Sequence, residues 1–285
     1  MPKEARLARI FDAHVHLWSG DLGRYPRAEV PGLPFREFDG SAETLLALMD
    51  AHGVARTLIV QSPWYAGDNS YVRDTVAAHP DRFAAIGCLP LAIPDSAFEG
   101  LEREVGRDGF RGIRVHLVRD EALAQARAGR FDRIFARADE LALPVCILYR
   151  AAEGHEFVAR MARAHRDLPI VVDHCAYATP AFKNEAHGLL ELARHPRVHV
   201  KLAIHHQLSS EAYPWRDLHQ LHRDLVASFG AKRLLWGSNF PMFMPGPTYT
   251  ERLEAVSRHM PFLTEDDLSA ILWETAASLW PADAP

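Results

Sequence analysis

The chain has 285 residues, 48% of them hydrophobic, and a formal net charge of -5 from 32 basic and 37 acidic side chains. Both signs are interspersed, which leaves no basic surface for nucleic acid and no polybasic anchor for a membrane. No run approaches the ~20 apolar residues of a membrane span, MPKEARLARIF lacks the apolar centre of a secretion signal, and three scattered cysteines make no disulfide framework, so a cytoplasmic location and a small-molecule partner are expected.

Strand and helix patterns then alternate along the chain. FDAHVH (11–16) is the first predicted strand, and the segment after it, SGDLGRYPRAEVPGLPFREFDG (19–40), has Gly and Pro throughout and no helical period. Such a long connection reads as a lid or binding loop. The amphipathic helix SAETLLALMDAHG leads to the strand RTLIVQ, and FAAIGCL and GIRVHL are the third and fourth strands. DRIFARADELAL precedes PVCILY, EFVARMARAH precedes PIVVDH, and VHVKLA, LHQLHRDLVASFG and RLLWGSN complete the series. Several helices close on Gly or are followed by Pro, as helix ends usually are. Eight strand–helix units predict an α/β protein, a single-domain (β/α)8 TIM barrel over residues 1–285. An open doubly wound sheet is disfavoured, because no G-x-G-x-x-G follows the first strand.

In such a barrel the chemistry sits where the strands end. Strand parity places Asp12, His14 and His16 on one face and Phe11, Ala13 and Val15 on the other. Two imidazoles two residues apart are about 6–7 Å apart along a strand and can reach one ion or one substrate group, with Asp12 a layer deeper to fix their tautomers. Further strand ends carry Arg114 and His116, Tyr149 and Arg150, His174, His205 and His206, and Asn239. His116 and His206 taken singly read as structural. Cys175 points away from His174 on a regular strand and reads as a buried structural thiol. Trp18, Trp64 and Tyr65 either stack on a substrate ring or pack over the barrel mouth. Lys201, on an inward face, needs a buried carboxylate, for which Asp12 is the candidate. Arg114 has no acid beside it in sequence, and its guanidinium fork suits a substrate carboxylate.

Six passages, FDAHVHLW, VQSPWYAGDN, GFRGIRVHL, IVVDHCAYATP, HVKLA and RLLWGSNFPM, together resemble the amidohydrolase superfamily over nearly the whole chain. The likeness is to the amidohydrolase-related branch containing 2-pyrone-4,6-dicarboxylate lactonase, sugar-acid lactonases and a galactarolactone isomerase. It implies that His14, His16 and His174 are the strand-end histidines, which hold a divalent metal in some members and touch substrate directly in the metal-free lactonase. It further implies that Arg114 grips a substrate carboxylate, that Tyr149 serves that carboxylate or the reacting carbonyl, and that Tyr65, Asp68 and Asn69 match the segment after the second strand.

Two departures stand out. Asn239 occupies the position where hydrolytic members carry a base aspartate, and a neutral amide accepts and donates hydrogen bonds but does not take a proton. His205 and His206 occur where the dicarboxylate lactonase has a nearby arginine, which Arg119 or Arg24 would have to replace. The expected function is therefore action on the lactone of a small carboxylated sugar acid or pyrone acid. Ring opening goes by water with a histidine as base, or the substrate's own hydroxyl attacks and gives an isomeric lactone. The catalytic set is His14, His16, His174, Asn239 and Asp12, and the binding set is Arg114, Tyr149, His205, Arg119 and Tyr65. Three histidines can hold zinc, but without an anionic ligand no tightly bound metal is expected. The alternatives are a metal-dependent decarboxylase of an aromatic or unsaturated acid and a non-catalytic barrel that binds a small acid.

Overall fold

A computed structural model describes residues 9–30, 35, 38–65, 68–88, 110–150, 152–179 and 183–282. Eight strands run parallel in one sheet in chain order: β1 (Ile10–Val15), β2 (Val54–Val60), β3 (Phe83–Cys88), β4 (Phe110–Leu117), β5 (Val145–Tyr149), β6 (Ile170–Val172), β7 (Val198–Leu202) and β8 (Leu234–Trp236). The sheet curls back on itself after β8. Asn239 N–H donates to His14 C=O at 2.8 Å and His16 N–H donates to Phe240 C=O at 2.6 Å, beside a parallel bridge between Val15 and Phe240. The expected (β/α)8 barrel is the observed fold.

Helices cover the outside. They include α1 (Ala42–His52), α2 (Ser70–Ala78), α3 (Asp120–Arg127), α4 (Asp132–Glu140), α5 (Ala152–Ala164), α6 (Lys183–Glu191), the short α7 (His205–Leu208), α8 (His219–Phe229) and α9 (Tyr249–Ser257). Local chemistry sets several ends: Ser41 caps α1 by accepting from Thr44 N–H, and Gly53, at φ 68°, supplies the left-handed residue that stops it. Thr248 and Glu251 form a reciprocal capping box on α9.

Two apolar layers result. Phe11, Ala13, Leu58, Val60, Ala84, Ile86, Cys146, Val171 and Leu235 fill the barrel interior, closed by Trp280 near the chain end. Trp280 C=O accepts from Arg56 and its indole N–H donates to Arg111 C=O, which fixes this plug. Alternate residues such as Ile59, Val115, Ile147 and Val200 pack outward with the helices.

The described part of the long first loop is tethered to its neighbours. Ser19 N–H donates to Tyr65 OH, Ala28 N–H donates to Trp64 C=O, and Arg24 and Tyr25 both bond Asp74 on α2. Residues 31–34 and 36–37 of the segment lie outside the described residues.

Candidate active site

The first strand does not keep the simple alternation its sequence suggests. Its register against β2 shifts between Asp12 and Val15, the mark of a bulge, and a bulge resets which face each later residue occupies. Phe11 and Ala13 point into the barrel, contrary to expectation, and the extra residue beyond Asp12 brings His14 and His16 back to its mouth. Asp12 is turned sideways instead, accepting hydrogen bonds from the N–H groups of His14 and Ser238 and from Tyr249 OH. None of these donors is an imidazole. The expected tautomer-fixing role of Asp12 is thus corrected to a backbone role: it locks the β1 and β8 ends together. The two ends are also crowded, since a Cβ on Gly237 would lie 2.6 Å from His14 Cβ.

His14 and His16 face each other with Nε2 atoms 3.3 Å apart, and the His174 ring centre is 4.5 Å from that of His14. Val60 C=O sits 2.7 Å from His16 Nδ1 and must accept a proton from it, so His16 Nε2 carries a lone pair. Lys201 Nζ lies 3.2 Å from His14 Nδ1 and donates to it, which puts the His14 proton on Nε2. His14 Nε2–H thus donates to the Nε2 lone pair of His16, and a substrate and water that part the two rings meet one donor and one acceptor at the same point. Burial first, and then Arg114, push His16 down to about 3. Burial likewise takes His174 to about 3, so both rings are neutral near pH 7.

β6 stops at Val172, and the chain then makes a left-handed turn in which His174, Cys175, Ala176 and Tyr177 have φ of 55°, 50°, 54° and 56°. Each costs roughly 1–2 kcal/mol in an L-residue, a strain that concentrates at functional sites. The turn delivers two groups to the interior where a regular strand would deliver one. His174 is the first. Asp173, which shares the inward parity of Val171, is the second: it accepts from Arg114 Nε at 2.9 Å and lies 3.1 Å from Lys201 Nζ and 3.4 Å from His14 Nδ1. Burial alone would raise this carboxyl, but Lys201 first and then Arg114 hold it well below the usual carboxylate range. The partner of Lys201 is therefore Asp173 and not Asp12. Asp173 was missed in the sequence, although period-2 counting from Val171 points to it.

The remaining expected residues divide. Arg114 is in the centre, but its Nε is committed to Asp173. Tyr149 is not in the centre: its parity is that of Ile147, it faces the helices, and its hydroxyl bonds His155 Nδ1 on α5 at 2.9 Å. Burial raises its phenol well above 10. His205 opens α7 and stacks on Trp215 at 6.0 Å, with His222 of α8 at 5.0 Å. It too faces away from the three histidines. Tyr65 holds the first loop through Ser19, and Trp18 and Trp64 pack edge to face at 5.4 Å. Arg119 is an exposed residue at the start of α3, and Arg24 pairs with Asp74. Cys175 packs in the outer layer and donates to Lys201 C=O, as the structural reading expects. Asn239 is buried at φ 58°, held by its own N–H on His14 and by Arg252 of α9, which donates to the carbonyls of Ser238 and Asn239. Its Oδ1 is buried and accepts no hydrogen bond from the described residues.

The three imidazoles are neutral, and the carboxylate among them, Asp173, has one oxygen on Arg114 and the other on Lys201. Among the described residues no group of three or more His, Cys, Asp or Glu side chains is placed to hold an ion. Two cations against one carboxylate leave one positive charge uncompensated at the buried centre. That arrangement suits negative charge developing on a substrate oxygen.

The chain is similar to several known proteins. The chain is 32% identical to the L-fucono-1,5-lactonase of Burkholderia ambifaria over 81% of this chain and 80% of that protein. It is 27% identical to the 4-sulfomuconolactone hydrolase of Rhizobium radiobacter over 81% of this chain and 75% of that protein. The fold superposes on an amidohydrolase from Burkholderia multivorans solved with bound zinc, with a TM-score of 0.79, 22% identity and coverage of 98% and 100% of the two chains. The amidohydrolase family model matches residues 11–282, and the chain belongs to the amidohydrolase family.

Proposed function

We propose that this chain opens the ring of a small sugar-acid lactone by adding water to its carbonyl, the whole barrel acting as one catalytic unit in the cytoplasm. The observation that carries the reading is the facing Nε2 pair of His14 and His16, 3.3 Å apart, with one N–H and one lone pair. His14 Nε2–H donates to the lactone carbonyl oxygen. His16 Nε2 takes a proton from the attacking water, and the excess positive charge of Arg114 and Lys201 over Asp173 stabilises the oxyanion. As that oxyanion forms beside it, His16 becomes a stronger base than it is at rest. The tetrahedral centre then collapses, the ring C–O bond breaks, and the leaving oxygen takes the proton back from His16. The relatives named as a fuconolactonase and a sulfomuconolactone hydrolase support lactone chemistry.

The donor set offers a divalent ion three neutral imidazoles and no free carboxylate, since Asp173 is already engaged by two cations. The same lack disfavours metal-dependent decarboxylation.

Asn239 favours a second reading, lactone isomerisation. Its buried Oδ1, unengaged among the described residues, can orient a substrate hydroxyl but cannot deprotonate water. A hydroxyl already held near the carbonyl gains an effective molarity of ~10⁵ M or more and needs less help from a base.

A panel of aldonolactones, aldarolactones and pyrone acids, followed by proton release and NMR, tests the function. Proton release on at least one sugar-acid lactone is expected; no turnover across the panel overturns the reading in favour of a non-catalytic binder.

A further inference from the structure

The cations of the centre share an acid: Arg114 and Lys201 both contact Asp173. On the first loop, Arg24 is held by Asp74. Arg150 differs. It follows Tyr149 at the end of β5, on the parity of Cys146, whose side chain belongs to the barrel interior, and it is exposed at the mouth. Its guanidinium carbon stands 4.1 Å from the ring centre of Tyr177, and no carboxylate among the described residues pairs with it. Tyr177 is the last residue of the left-handed turn, its ring 6.0 Å from that of His174, which is in turn 4.5 Å from His14. A chain of ring contacts thus runs from the reacting centre to this arginine.

Stacking on an aromatic face fixes the plane of a guanidinium while leaving its N–H edge open, the geometry that receives a carboxylate through two parallel hydrogen bonds. Arg114 has one donor committed to Asp173, and Tyr149 and His205 face away from the centre. An anionic substituent on the ring therefore finds its open fork at Arg150.

We propose that Arg150, positioned by Tyr177, binds a carboxylate carried by the lactone and makes the enzyme prefer the monolactone of a sugar diacid over the neutral lactone of the corresponding monoacid. The proposal rests on the lactonase reading above. Hydrogen bonds to a charged group are worth about 1.5–3 kcal/mol, or ~10- to 100-fold in affinity.

The test measures kcat and KM of the wild type, Arg150→Met and Arg150→Lys on one carboxylated aldarolactone and one neutral aldonolactone of the same ring size. Arg150→Met is expected to raise KM for the carboxylated lactone ~10-fold or more while moving KM for the neutral one less than about 2-fold, with Arg150→Lys recovering part of the loss. Tyr177→Leu should raise the same KM in part, since the guanidinium loses its support. Equal effects on both lactones, or no effect on either, overturn the assignment and leave the lactonase reading standing. The two lactones are the best carboxylated and neutral substrates of the panel above; if the wild type turns over no lactone of that panel, the lactonase reading itself fails and this proposal falls with it.

Discussion

His14 Nε2 and His16 Nε2 lie 3.3 Å apart because Val60 C=O holds one ring and Lys201 the other, so two neutral imidazoles of opposite tautomer meet at one point. Either ring alone is half of the device. His16→Gln keeps a polar side chain but cannot take a proton, and it should lower kcat by ~10²–10⁴ with KM little changed. His14→Gln should cost less, because an amide N–H still donates to the carbonyl oxygen. Equal losses in the two variants would mean that the rings do not divide the donor and acceptor roles.

Asp173 should matter more for stability than its neighbours. Asp173→Asn leaves Arg114 and Lys201 both buried without a counter-charge, and breaking a buried pair in this way typically costs about 3–5 kcal/mol. Urea unfolding should show this as a lower midpoint with an unchanged slope. Adding Lys201→Met to Asp173→Asn should recover part of the loss, because one stranded cation is then gone. A double variant less stable than the single one would contradict the charge argument.

The buried histidines predict acid sensitivity of the fold without matching sensitivity of the chemistry. His16, His174 and His205 are lowered from 6.5 to about 3, chiefly by burial. Between those two values the unfolded chain binds protons that the folded chain refuses, so stability falls as pH drops through the window, by about 1.4 kcal/mol per unit for each such group. Asp12 acts in the opposite sense: burial raises it from 3.8 to about 6, so the folded form holds the extra proton between those values. One carboxyl against three histidines leaves the net sign unchanged. Thermal melts should fall steadily from pH 7 to 4.5, while kcat shows no drop near pH 6.5, where an ordinary histidine base would titrate.

Asn239→Asp should place a carboxyl group at the end of β8, on the residue whose N–H donates to His14 C=O and whose left-handed backbone Asp tolerates as Asn does. If the site lacks only its usual base, hydrolysis of the lactone should rise by ~10²-fold or more. An unchanged rate, with only a small shift in melting temperature, would mark Asn239 as a structural strand end held by Arg252.

The barrel was legible because its eight strands are short, β-branched and separated by amphipathic helices, so the order of elements dictates a parallel closed sheet. The three histidines were legible from H-x-H and from the strand-end position of His174. What parity alone misread came from two local departures, the bulge in β1, which moved Asp12 out of the site, and the left-handed turn after β6, which brought Asp173 in together with His174. Neither has a Gly or Pro to announce it. Tyr149 was a different matter. Resemblance placed it on the substrate, whereas the inward parity of Cys146 already assigned that side of β5 to Arg150.

The most direct test of the central claim is the fate of solvent oxygen. Turnover of the best lactone in H2¹⁸O, with the product analysed by mass spectrometry and NMR, should give an open-chain acid carrying one ¹⁸O in its new carboxyl group, and His16→Gln should abolish most of that incorporation. A product that is an isomeric lactone, free of ¹⁸O, would contradict water addition at the His14–His16 pair and make the substrate's own hydroxyl the nucleophile.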